Sequence, residues 1–262
     1  MNDNAPLLLS EEKHQTLILT LNRPAVMNCL NVHLLTTLRE QIDTLTFRDD
    51  IRTLIITGAG EKAFCAGADL KERATMTPAA VKQFIFTIRN LLTAIQNLPI
   101  PVICAVNGVA LGGGMEIALA ADIRIASTTA DMGLTETKLA IIPGGGGTQR
   151  LPRIIGVARA KELIFTGRRV AADEALSIGL VNQITPPADL LAACIKMAET
   201  IGQNGPVAIE MAKYAIDRGI ETDLATGLAI ESNAYRVTIP TEDRMEGLNA
   251  FREKRSPVYK GR

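Results

Sequence analysis

The sequence predicts an α/β fold followed by a helical C-terminal region. Through the first two thirds of the chain, short apolar runs alternate with helical stripes. Glycine-marked segments fall where a strand candidate gives way to a helix, and the pattern turns wholly helical after about Gly205. A core of this kind binds ligands where strands end and helices begin.

In chain order, Thr16 to Leu21 and Thr53 to Thr57 are apolar runs bounded by turn signals, as expected of buried strands. Between them Asn31 is an N-cap candidate, with Leu34, Leu35, Leu38, Ile42 and Leu45 on one helical stripe. Pro78 to Leu98 is a second helix, stopped by Pro99 and Pro101. Pro101 to Val106 and Ile123 to Ala126 are further strands. The last stretch holds three successive helices, Pro206 to Arg218, Asp223 to Val237 and Thr241 to Lys254. Pro206 suits a first helical turn and Pro240 blocks continuation. The chain divides accordingly into a core, 1–205, and a helical region, 206–262.

Composition narrows the function. The 262 residues carry 28 Lys and Arg against 28 Asp and Glu, so no global field draws the chain to nucleic acid or a membrane surface. Cys29, Cys65, Cys104 and Cys194 form no C-x-x-C pair and read as idle thiols of a reducing compartment. Met1 to Pro6 has no basic leader, and no run reaches the roughly 18 apolar residues of a membrane span. A cytoplasmic protein is expected. His14 and His33, read as lying on a strand edge and in a helix, stand in no triad context. With the scattered cysteines they offer no metal set. No G-x-G-x-x-G opens a helix, and the run Pro143 to Gly147 is not followed by the Gly-Lys-Ser/Thr of a phosphate loop.

Three segments carry the chemistry. Gly112-Gly113-Gly114-Met115-Glu116 precedes a helical run, whose first N–H groups are unpaired and suit a developing oxyanion. Phe64-Cys65-Ala66-Gly67-Ala68-Asp69 has small residues that would expose a second N–H, with Asp69 able to cap a short helix. Glu136 follows Gly133-Leu134-Thr135. Each alone is as readily a packing turn or a surface acid. Together, two carboxylates beside exposed backbone donors describe an enzyme that moves protons.

These segments, with Asn22-Arg23-Pro24 and Gly146-Gly147-Thr148-Gln149-Arg150-Leu151, resemble the crotonase (enoyl-CoA hydratase/isomerase) superfamily nearly end to end. Leu70-Lys71-Glu72-Arg73, the run Glu136 to Pro143, and Thr238-Ile239-Pro240-Thr241 through Arg255 resemble its methylglutaconyl-CoA hydratase branch, which includes an AU-rich-RNA-binding hydratase. The resemblance implies a spiral of ββα units, C-terminal helices that assemble homotrimers or homohexamers, and coenzyme A entering as part of the substrate with no separate cofactor. It implies hydration of a short-chain 2-enoyl-CoA, with 3-methylglutaconyl-CoA of leucine catabolism a candidate. The N–H groups of Ala68 and Gly113 would hold the thioester oxygen. Glu116 would activate the water, Glu136 would donate the proton, and the N–H of Gly144 would steady the water. Ala66, Asp69, Leu70, Lys62 and Lys71 would bind substrate, the two lysines near the adenosine phosphates. Phe251 and Lys254 would reach the adenine end from a neighbouring subunit. An isomerase or other acyl-CoA lyase of the superfamily is the alternative, and an inactive structural member a further one. RNA binding is not expected, because Leu34 to Asp43 contains no lysine. A distal carboxylate on the acyl group would want a cation, for which Arg73 and Lys82 are the candidates.

Overall fold

The computed structural model describes residues 5–262, so Met1 to Asn4, part of the stretch in which no basic leader is found, lie outside the described residues. The strands are β1 (Leu8–Lys13), β2 (Thr16–Leu21), β3 (Thr53–Gly58), β4 (Ala63–Cys65), β5 (Val102–Val106), β6 (Val109–Leu111), β7 (Ile123–Ser127), β8 (Asp131–Gly133), β9 (Val170–Ala171) and β10 (Gln183–Thr185). The helices are α1 (Val32–Leu45), α2 (Leu70–Ala74), α3 (Pro78–Gln96), α4 (Gly113–Ala120), α5 (Gly147–Ile155), α6 (Val157–Thr166), α7 (Ala172–Ser177), α8 (Leu190–Gly202), α9 (Pro206–Gly219), α10 (Leu224–Thr238) and α11 (Glu242–Glu253).

A large sheet has the order β1-β2-β3-β5-β7-β10, and a small one the order β4-β6-β8-β9. Strands β2, β3, β5, β7 and β10 run parallel, with β1 paired antiparallel at the edge. The chain visits the sheets alternately: β3 then β4, β5 then β6, β7 then β8, each pair followed by helical structure. This is the spiral of ββα units that the family resemblance implies.

Side-chain alternation explains why the central strands β2, β3 and β5 read as continuous apolar runs, since both faces of the sheet are buried there. Leu17, Leu19, Leu54, Ile56, Cys104 and Val106 join one core with α1 and α3. Their alternates Ile18, Ile55, Ile103 and Ala105 pack against Leu190, Cys194 and Ala198 of α8. Asn31 caps α1 by accepting from Leu34 N at 2.9 Å, and Thr77 caps α3 with Pro78 in its first turn.

Helices α9 to α11 match the three expected C-terminal helices. Helix α3 ends at Gln96, two residues earlier than the sequence suggests, with Asn97 as its C-cap. His14 corrects a reading: it sits in the tight β1–β2 turn at φ 54, not on a strand edge. No helix among the described residues is long and apolar enough to cross a membrane.

Candidate active site

Strands β4, β6 and β8 lie side by side and parallel, so their carboxyl ends open on one edge of the small sheet. The residues just beyond those ends are Ala66 to Asp69, Gly112 to Glu116, and Leu134 to Glu136. Neighbouring strands sit about 4.8 Å apart. Three segments far apart in the chain are thereby gathered into one place.

The N–H of Ala68 is freed by pairing geometry. Leu30 and Ala68 form a parallel bridge in which Leu30 N donates to Gly67 O at 2.8 Å and Asp69 N donates to Leu30 O at 2.9 Å. Such a bridge uses the peptides on either side of Ala68, and among the described residues its own N–H has no acceptor. Gly113 opens α4, and its N–H likewise has none, as a first-turn donor lacks an intrahelical partner. Each donor follows a glycine in the left-handed region, Gly67 at φ 101 and Gly112 at φ 50, which turns the next peptide outward at no steric cost. A Cβ built on Gly113 would lie 4.0 Å from Ala68 N, so the two donors are neighbours.

The two carboxylates differ in their surroundings. Glu116, in the first turn of α4, is 3% exposed, and its Oε1 accepts from Gly145 N and Gly147 N at 2.8 Å each. Burial raises its pKa, while those two N–H groups and the charge of Arg150 pull it back. Glu136 opens a 3-10 turn, Glu136–Leu139, and its Oε2 is buried without a partner among the described residues. Burial pushes Glu136 up to about 7, and the charge of Glu116 acts in the same direction. A Cβ on Gly112 would meet Glu136 Oε1 at 3.1 Å, which puts this acid against the peptide that precedes Gly113.

Both acids and both free N–H groups line one cavity of about 170 Å³, together with Ala66, Leu70, Gly144 and apolar side chains of α3 and of the 139–142 segment. Lys62 and Lys71 are exposed and lie outside its lining. Phe251 (87% exposed) and Lys254, at the far end of α11, do not line it either. Asp69 serves the scaffold instead, capping α2 through Lys71 N and Glu72 N and pairing with Arg23 at 3.0 Å.

Sequence reasoning left the supports of Glu116 unassigned. Arg150 donates to Gly145 O and to Gln96 Oε1, each at 2.9 Å, and so holds the loop that presents Gly145 N and Gly147 N. Arg150 lies in one of the motifs that carry the family resemblance, but only the fold shows which carbonyl it holds. Arg150→Met is expected to raise the Glu116 pKa, as followed by NMR titration of the labelled carboxyl. An unmoved titration would show that the guanidinium charge is not felt there. Asn28, fully buried, was also unmarked, and its amide donates to Ala59 O and Ala63 O at the entry to β4.

Comparison with known proteins gives this site a family. Residues 11–262 match the family Enoyl-CoA hydratase/isomerase. YngF of Bacillus subtilis (strain 168), which carries a provisional enoyl-CoA hydratase/isomerase name, is 55% identical over 97% of this chain and 98% of its own. The mitochondrial methylglutaconyl-CoA hydratase of Homo sapiens is 49% identical over 97% of this chain and 76% of its own. The crystal structure of an enoyl-CoA hydratase from Bacillus anthracis superposes with a TM-score of 0.97 at 51% identity, covering 98% of this chain and 100% of that one. The chain belongs to the enoyl-CoA hydratase/isomerase family. Within it, it is an enzyme of the hydro-lyase class.

Proposed function

We propose that this enzyme adds water across the 2,3 double bond of a short-chain 2-enoyl-CoA, with 3-methylglutaconyl-CoA a candidate substrate. The observation that carries this reading is the asymmetry of the two acids. Glu116 receives two N–H donors on one oxygen, which favour the carboxylate form of a base, whereas Glu136 is desolvated and held near 7, which favours a proton donor.

The thioester carbonyl accepts from Ala68 N and Gly113 N, whose pull lets electron density move from the double bond onto the oxygen. Water gives a proton to Glu116 as its oxygen bonds to C3. C2 then takes the proton of Glu136 as the carbonyl re-forms. The pair resets when a proton returns from Glu116 to Glu136. Gly144 N would steady the water. Coenzyme A comes and goes with the substrate, and no other cofactor has a role.

Helices α9 to α11 form the assembly region, residues 206–262, of a homotrimer or a pair of trimers. Ile216, Ile220, Leu224, Leu228, Tyr235 and Leu248 are exposed there, more apolar surface than a solvated helical face normally shows. In such an assembly Lys62 and Lys71, with Phe251 and Lys254 of a neighbour, would hold the nucleotide end of coenzyme A. RNA has no place in this reading, because Arg39 is the only Lys or Arg of α1 and pairs with Asp43 at 2.8 Å. The free cysteines suit a reducing, cytoplasmic setting.

The test follows the loss of ultraviolet absorbance as crotonyl-CoA and 3-methylglutaconyl-CoA are hydrated in parallel. Glu116→Ala should abolish both reactions, a drop of about 10²-fold or more. Unchanged hydration in that variant would remove Glu116 from the mechanism. Surviving double-bond migration without hydration would move the enzyme to the isomerases.

A further inference from the structure

We infer that Arg73 is a specificity-determining residue that makes the acyl pocket selective for acyl-CoA substrates bearing a carboxylate at the far end of the chain. The inference deepens the hydratase reading and rests on its assignment of the cavity to the acyl group.

Among the described residues, Arg73 is the only cation lining that cavity. It follows Leu70 by three positions on α2, so both side chains share one helix face and reach the same space. Its guanidinium stands 5.0 Å from the centroid of the Phe84 ring, and Phe84 is buried. Such a contact orients the planar cation without using its N–H groups.

Among the described residues those N–H groups find no acceptor: Arg73 takes part in no ion pair and donates no side-chain hydrogen bond. This sets it apart from half-buried Arg23, which pairs with Asp69, and from Arg48, Arg153 and Arg168, each tied to a carboxylate. The adjacent carboxylate, Glu72, is occupied by Val32 N at 3.1 Å. Arg73 forms no ion pair with Glu116 or Glu136 among the described residues, although all three line the same cavity. Lys82, the other candidate, is exposed and does not line the cavity.

Helix α3 sets the distance. A Cβ on Gly113 would meet Ile88 Cδ1 at 3.1 Å, so Ile88 marks the thioester end. Phe84, which holds Arg73, lies one turn earlier, about 5–6 Å along the axis. Ile85 fills the wall between, against Gly144. An acyl chain anchored at Ala68 and Gly113 therefore meets apolar walls and then an unpaired guanidinium, within the reach of a short chain ending in a carboxylate. Arginine binds that group with two parallel N–H bonds, and a neutral chain end would leave the cation unmatched.

The experiment pairs turnover with binding for wild type, Arg73→Met and Arg73→Lys. Turnover compares 3-methylglutaconyl-CoA with crotonyl-CoA. Binding compares glutaryl-CoA with butyryl-CoA by calorimetry, saturated thioesters that cannot be hydrated. In Arg73→Met, kcat/KM for the carboxylated substrate should fall about 30-fold or more while that for crotonyl-CoA stays within about threefold or rises. The preference for glutaryl-CoA should vanish, and Arg73→Lys should keep part of it. A wild type that binds both thioesters equally, or a Met variant that loses both substrates in parallel, overturns the inference. A wild type that prefers glutaryl-CoA through Arg73 yet hydrates neither substrate upholds it and sinks the hydratase reading instead.

Discussion

Glu136→Gln should lower turnover of a 2-enoyl-CoA by about 10²- to 10⁴-fold, the range for removing a positioned proton donor, and should at the same time stabilise the protein above neutral pH. Glutamine keeps the shape but cannot ionise. In the native enzyme the folded carboxyl titrates near 7 and the unfolded one near 4.5. Below about 4.5 both states hold the proton and nothing is lost. As pH rises from 4.5 to 7 the unfolded chain releases its proton while the folded one retains it, so stability falls. Above 7 the loss is complete, on the order of 3 kcal/mol. Denaturant midpoints at pH 5 and pH 8 should thus diverge for wild type more than for Glu136→Gln. Parallel behaviour of the two proteins would show that the buried acid carries no such penalty. On the proposed mechanism the kcat/KM of the native enzyme should also fall above about pH 7 in the hydration direction, as Glu136 loses the proton it would give to C2.

Gly114→Ala should cost about 3 kcal/mol or more, although alanine is ordinarily the better helix former by about 1 kcal/mol. A Cβ at this position would overlap Cys65 O and stand 2.8 Å from both Cys65 C and Cys65 Cβ. The obstacle is largely backbone of β4, so no rotamer relieves it. Helix α4 must move away from β4, and Gly113 N with it, which separates the two donors as well as loosening the core. Gly202→Ala is the control, since nothing lies within 4 Å of the added atom in helix α8. Thermal unfolding should show a large drop for the first substitution and none for the second. Equal midpoints would mean that the α4–β4 contact yields easily.

Elements long enough to display a period were legible in the sequence. Helices α1, α3, α9, α10 and α11, and strands β2, β3, β5 and β7, stand where apolar spacing and the proline and asparagine signals put them. The small sheet was not legible, because β4, β6 and β8 have three residues each and show no alternation. Strand β1 was missed for another reason: its side chains are mostly polar and exposed, and it is held by its antiparallel pairing with β2. The region from α5 to α8 was left unassigned: Pro152 and Gly156 break the helical pattern of α5 and α6, and α8 is an exception, unread although it is 13 residues long. At the site, the glycines and both glutamates were readable as a set, but their convergence was not. That depends on adjacent ends of strands too short to read. The unequal treatment of the two acids depends in turn on Gly145, Gly147 and Arg150, whose part is set by tertiary contact.

On the proposed mechanism, the three short parallel strands divide the labour of catalysis by rung. Holding the carbonyl falls to the ends of β4 and β6, and handling protons to α4 beyond β6 and the turn beyond β8. The carbonyl would be held by main chain, which survives most changes of side chain; the protons would be handled by two replaceable side chains. A substitution at position 116 or 136 could therefore redirect the chemistry of an activated thioester while leaving its activation untouched. One scaffold of this design can be retuned among reactions that share an enolate, with the sheet ladder acting as the fixed jig.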